Sequence, residues 1–186
     1  MHLPYEKGIQ QVLKSPLDIQ KRVEQLGQKI TEDYRHINSP VVIVVLMKGA
    51  AIFSSDLVRH IKLPTVLDYM IASSYGQGTK SSGEVRIIKD LQESIFNKHV
   101  IVVDDIIDTG HTFKKIIELL NVRSPASIKT CTLLDKSARR EQPISADYVG
   151  FEIPNSFVVG YGLDFNQQYR NLPYIGILDP ECISDD

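Results

Sequence analysis

Cysteine is nearly absent: Cys131 and Cys182 are the two in 186 residues. With no CxxC pair and no histidine partner at metal-ligand spacing, neither a disulfide framework nor a zinc site is expected, and a reducing cytoplasm fits. Long apolar runs are also missing. The longest, VVIVVLM at 41–47, is far short of the roughly 20 residues that a membrane-spanning helix needs. The opening segment MHLPYEKGIQQ lacks an apolar core, so it is not expected to act as a signal peptide. Charge of one sign is scarce as well: 21 Lys and Arg face 23 Asp and Glu, a formal charge of -2. No global positive field exists to hold nucleic acid or a membrane surface, so any anion must be caught locally. The usual nucleotide fingerprints fail too, because there is no GxxxxGK[ST] loop and the GQG at 76–78 has no third glycine in place for GxGxxG.

What is present is a well-patterned chain with 42% hydrophobic residues, enough for one buried core and too short for two comfortable domains, so residues 1–186 are expected to form a single domain. Ser15 and Pro16 read as the cap and first position of a helix, and Ile19, Val23, Leu26 and Ile30 repeat at helical spacing. Strand-like runs rich in β-branched residues follow at 41–47, 65–73, 85–89, 99–103 and 127–134. Between them, AIFSSDLVRHI and FKKIIELL place apolar residues three and four apart. The alternation implies an α/β fold, and the unbroken apolar character of 41–47 and 100–103 predicts a largely parallel sheet flanked by helices on both faces. SSYGQGTKSSGE, 73–84, reads as a long mobile loop between two strands.

One stretch carries chemistry. In VIVVDDIIDTGHTF, residues 100–113, a buried strand runs into Asp104 and Asp105, then Asp108, then Thr109, Gly110, His111 and Thr112 at the start of the next helix. Ligands of open α/β sheets bind beyond the carboxyl ends of strands, and helix N-termini present free N–H groups to anions. Residues 108–112 are therefore expected to hold a phosphate. Three carboxylates beside a phosphate make sense if they face other parts of one ligand, such as the vicinal hydroxyls of a sugar or a magnesium ion. A sugar phosphate satisfies both halves. The plainer alternative is an acidic strand-to-helix turn with Asp108 as a helix cap.

The stretch resembles the phosphoribosyl-diphosphate signature of the type I phosphoribosyltransferases: hydrophobic residues, two acids, two hydrophobics, Asp-Thr-Gly and Thr. LMKG (46–49), SSYG (73–76), LLDK (133–136) and VGFEIPNSFVVGYGLDFNQQYRNLPYIG (149–176) are similar, in that order, to segments of the hypoxanthine-guanine branch of the family. The resemblance covers roughly residues 40–180. It implies the type I phosphoribosyltransferase fold with a small hood built from the terminal segments. It also implies transfer of a 5-phosphoribosyl group to purine N9 with release of diphosphate, dependence on Mg2+, and a homodimer or homotetramer in the cytoplasm, with no nucleic-acid or membrane partner.

Site residues follow from the same resemblance. Lys48 and Gly49, after a cis peptide bond, are expected to meet the diphosphate together with Ser74, Tyr75 and Arg170. Asp104 and Asp105 are expected to face the ribose hydroxyls and metal, with Asp164 as a second metal-facing acid beside the purine. Backbone amides of Asp108, Thr109, Gly110, His111 and Thr112 are expected to hold the 5-phosphate. Asp108 doubles as the general acid or base at purine N7. Lys136 is expected to donate to the 6-oxygen of the base, Phe157 to stack on it, and the Val158 backbone to read its edge. Closure of loop 73–84 would keep water from the reactive sugar. Two positions depart from the family pattern: Asp104 stands where Glu is usual, one methylene shorter, and His111 occupies a variable position that is often lysine. A mixed 6-oxopurine specificity that includes xanthine is the nearest rival. A noncatalytic regulator that senses the sugar diphosphate and binds RNA is the rival of a different class; its expected basic face does not match the near-neutral charge.

Overall fold

A computed structural model describes residues 6–74 and 85–182. Its chain order is β1 (Ile9–Lys14), α1 (Pro16–Tyr34), β2 (Val41–Met47), α2 (Ala50–His60), β3 (Thr65–Ser74), β4 (Val85–Lys89), β5 (His99–Ile107), α3 (His111–Asn121), β6 (Ser127–Asp135), β7 (Tyr148–Glu152), β8 (Val158–Val159) and β9 (Ile175–Leu178). Six strands form one sheet in the order β4-β3-β2-β5-β6-β7. All neighbours in it are parallel except the edge pair β3 and β4.

The alternation of side chains along a strand assigns this sheet's two faces. Val41, Ile43 and Val45 of β2 face a core that includes Ile19, Val23, Leu26 and Ile30 of α1 and Phe53 and Leu57 of α2. Val42, Val44 and Leu46 face the other core, closed by Phe113, Ile116 and Leu120 of α3. The continuous apolar run of β2 is thus explained by burial on both faces. Helix α1 begins with a reciprocal capping box, in which the Asp18 N–H donates to the Ser15 hydroxyl at 3.2 Å and the Ser15 N–H donates to the Asp18 carboxylate at 3.1 Å. Gly27 brings α1 against α2, since a Cβ there would strike the Cβ and carbonyl carbon of His60.

A second, three-stranded sheet of order β1-β9-β8 is antiparallel and joins the two ends of the chain, as the expected hood does. It was not visible as strands in the sequence because β8 has two residues and β1 is broken by register shifts. Strand β5 runs to Ile107, four residues past its expected end at 103, so Asp104 and Asp105 lie within the strand, paired through Asp104 with Thr132 of β6. Both cysteines are free; burial pushes the Cys131 thiol up, which keeps it inert. No helix among the described residues is long and apolar enough to cross a membrane.

Candidate active site

The site lies at the carboxyl end of the parallel strands, where β2, β3, β5 and β6 stop on the same side of the sheet. Three groups of residues meet there.

The first group lines a cavity of about 210 Å³, walled by Asp105, Ile106, Asp108, Lys136, Phe157, Val158, Leu163 and Asp164. Every residue expected to meet the purine is among them. Val158 is buried in β8, whereas Phe157 is 39% exposed and held edge-on by Phe165 at a centroid distance of 5.6 Å, which leaves a ring face for a flat ligand. Lys136 is only 6% exposed, and no described residue hydrogen-bonds its ammonium. Burial lowers its pKa; the nearby Asp108 carboxylate works the other way. The Lys136 N–H donates to the Ile107 carbonyl at 2.9 Å, which fixes the lysine at the end of β6 beside β5.

Asp108 is held from two sides. Arg139 Nη1 donates to its Oδ2 at 3.0 Å and Arg140 Nη1 donates to its backbone carbonyl at 2.7 Å. Its other carboxyl oxygen, Oδ1, is buried and has no hydrogen-bond partner among the described residues. An orphaned buried acceptor beside a cavity calls for a donor that the ligand brings.

The second group sits at the cis peptide bond Met47–Lys48, the non-proline cis bond expected at this turn. A Cβ on Gly49 would fall on the Asp105 carboxylate, and one on Gly162 would fall on the Gly49 carbonyl, so three pieces of chain touch where no side chain fits. Arg170 pairs with Asp164 at 2.7 Å and donates to the Gly162 carbonyl at 2.7 Å. Gln167 joins the group: its side-chain oxygen accepts from Lys48 Nζ at 3.2 Å and from Arg170 at 3.3 Å, and its N–H donates to Asp164 at 3.0 Å. Lys48, Asp164 and Arg170, far apart in sequence, are thus tied together through a residue that sequence reasoning missed. Gln167 and its neighbours Asn166 and Tyr169 have positive φ without being glycine, so no turn signal marked them.

The third group is the turn from β5 into α3. Gly110, at φ 89°, is the N-cap of α3, and His111 opens the helix. The amides of Thr109 to Thr112 lie at a helix start, where backbone N–H groups can serve as a cradle for an anion. The His111 side chain takes no part in the cradle, because its Nε2 pairs with Glu141 at 2.7 Å and its Nδ1 with Gln142 at 3.2 Å. Glu141 and Gln142 N–H groups also donate to the Thr109 carbonyl at 3.0 and 3.1 Å. Residues 139–142 therefore form a strap that fastens the cradle. Sequence reasoning passed over it because a charged run usually marks a solvated surface.

Asp104 and Asp105 occupy adjacent half-buried positions between these groups. Burial and the Asp105 charge push the Asp104 carboxyl well above the ordinary range; burial raises Asp105 as well, held back by its hydrogen bonds with Asp104 and the Ile106 N–H. Among the described residues, no three His, Cys, Asp or Glu side chains gather as a closed metal site. The backbone of Ser74 ends β3 at this edge of the sheet, while Tyr75 and the rest of the expected loop to residue 84 lie outside the described residues.

Comparison with known proteins agrees with this geometry. A family model described as "Phosphoribosyl transferase domain" matches residues 11–166. The hypoxanthine phosphoribosyltransferase of Buchnera aphidicola is 47% identical over 165 residues, covering 89% of this chain and 93% of that one. The hypoxanthine-guanine phosphoribosyltransferase of Staphylococcus aureus (strain Mu50) is 50% identical over 177 residues, covering 95% and 98%. A crystal structure of a hypoxanthine phosphoribosyltransferase from Staphylococcus aureus superposes with a TM-score of 0.94 at 48% identity over 100% of both chains. With the fold, the signature turn and these relatives in agreement along nearly the whole length, the chain belongs to the phosphoribosyltransferase family.

Proposed function

We propose that the protein serves purine salvage by moving the 5-phosphoribosyl group of phosphoribosyl diphosphate to N9 of hypoxanthine or guanine, giving IMP or GMP and diphosphate. The observation that carries this reading is one cavity in which a largely buried lysine, a carboxylate with an orphaned oxygen and an exposed aromatic face meet beside the acid pair.

Each group has a part in the reaction. N9 attacks the anomeric carbon, the bond from that carbon to the diphosphate oxygen breaks, and the electron pair leaves with diphosphate. Asp108 Oδ1 takes the proton from N7 of the base, so no charge is left on the purine ring. Lys136 donates to the 6-oxygen, Phe157 offers its face and Val158 its backbone to the base. The amides of 108–112 hold the 5-phosphate; Lys48, the Gly49 amide and Arg170 meet the diphosphate, with Ser74 and Tyr75 at the same end.

The acids fit a magnesium-bound substrate. Mg2+ is commonly held by one or two carboxylates plus substrate phosphates, not by an all-protein cage, and adjacent half-buried carboxylates whose proton affinity burial raises, with the Asp105 charge adding to the rise at Asp104, are relieved by a cation. Asp104 and Asp105 would hold it on the ribose side and Asp164 on the diphosphate side; when bound, it neutralises charge on the leaving group. We further propose a homodimer or homotetramer at work in the cytoplasm.

Rates with phosphoribosyl diphosphate, Mg2+ and each of hypoxanthine, guanine, xanthine, adenine and uracil test the proposal. Hypoxanthine and guanine should react. Adenine carries a donor at position 6, which would face the Lys136 donor; an unmatched buried donor costs about 1–3 kcal/mol. Efficient adenine turnover would overturn the reading.

A further inference from the structure

We infer that Arg139 is a positioning residue for the transfer reaction, fixing the plane of the Asp108 carboxylate so that one oxygen is anchored and the other faces the base. The inference rests on the reading of Asp108 as the group that takes the N7 proton. The carboxylate plane of an aspartate turns freely about χ2, a broad torsion, so an unanchored carboxylate samples many orientations. Here the plane is anchored at one end: Oδ2 is held by Arg139 Nη1 at 3.0 Å, while Oδ1 stays buried with no partner among the described residues. Arg139 is itself fixed, because its N–H donates to the Lys136 carbonyl at 3.0 Å and closes the short 3-10 turn of Ser137–Arg139. The same turn therefore carries the lysine that meets the base and the arginine that aims the carboxylate.

The two neighbouring arginines divide the work. Arg140, 15% exposed in its side chain, ties the Asp108 carbonyl to Asp135 and joins the ends of β5 and β6. Arg139 is 45% exposed, and ion pairs that open to solvent contribute little to stability. Its contact decides orientation more than it holds the fold, so removing it should leave a folded protein with a misaimed carboxylate.

The test uses the full-length protein with hypoxanthine, phosphoribosyl diphosphate and Mg2+. Arg139→Gln should lower kcat about tenfold, less than the roughly 10²-fold or greater loss of Asp108→Asn. Its KM for phosphoribosyl diphosphate should stay within about twofold and its melting temperature within about 2 °C of the parent. Arg139→Lys, which keeps a donor, should recover part of the rate. In an Asp108→Asn background, Arg139→Gln should cost nothing further, since a residue that acts only through Asp108 has nothing left to aim. Parent-like kcat in Arg139→Gln, an additive loss in the double variant, or a large fall in melting temperature would each overturn the inference. If Asp108→Asn turned over like the parent, the role of Asp108 would fall and this one with it. A slow Asp108→Asn beside an unimpaired Arg139→Gln would overturn the positioning role alone.

Discussion

Lys136 shows at the scale of one residue how function costs stability. Burial lowers its pKa, with Asp108 opposing and Arg139 adding to the lowering, so the folded state prefers the lysine neutral relative to the unfolded chain. The destabilisation is fully present below the folded-state pKa and disappears as pH rises to the unfolded value near 10.5. Lys136→Met should therefore raise stability at neutral pH by roughly 1 kcal/mol, the order of a desolvated polar group, and the gain should shrink as pH rises toward 10.5. Denaturant titrations at several pH values measure this. The same variant should lose transfer to hypoxanthine. A loss of stability at pH 7 would mean that the ammonium has a structural role.

Elements show where the sequence was legible. The β5–α3 turn was readable because strand, acids, glycine and helix start are contiguous, and each step has a local signature. Gly110 illustrates its strictness: φ is 89°, and a Cβ would come within 2.8 Å of the Ile144 side chain. Gly110→Val should weaken binding of both inorganic phosphate and magnesium phosphoribosyl diphosphate, because the cradle itself is deformed. Asp104→Asn with Asp105→Asn should weaken the sugar diphosphate more than phosphate, which needs only the helix start. Calorimetric titration of both ligands separates the two cases; equal losses in the double variant would reduce the acids to loop supports. Gln167 and the 139–142 strap were not legible, although Asp164 and Arg170 on either side of Gln167 were. Their order comes from contacts between residues distant in sequence, as when Gln167 bridges Lys48 and Arg170, and from positive φ angles that Asn166, Gln167 and Tyr169 adopt without being glycine. Helix packing has its own hidden requirement at Gly27, where Gly27→Ala should cost about 1–3 kcal/mol by pushing α1 off α2, with little effect on the KM for either substrate.

Over the whole molecule, the two sheets differ in what secures them. Strands β2 and β5 are buried on both faces within the six-stranded sheet, so their amides should exchange only with global unfolding. The three-stranded sheet is closed by few pairings, plus the Tyr169 hydroxyl on the Lys7 carbonyl at 2.9 Å and the Asp179 N–H on the Gly8 carbonyl at 2.8 Å. Hydrogen exchange should be at least about tenfold faster in β1, β8 and β9 than in β2 and β5, and IMP should slow it at Val158, which belongs to both β8 and the cavity wall. Uniform protection across both sheets would show that they open as one unit.

The contact between Gly49, Asp105 and Gly162 bears on how this catalyst can change over generations. At that end of the site the walls are main chain against main chain and a carboxylate, so almost any substitution that adds a carbon is a collision. At the other end the walls are side chains, Ile106, Phe157, Val158 and Leu163, which can be enlarged, trimmed or exchanged one at a time. Heritable variation therefore has room to act on the base and almost none on the activated sugar: a lineage starting here can drift among purines while its donor stays fixed, and libraries aimed at new acceptors belong at these four positions.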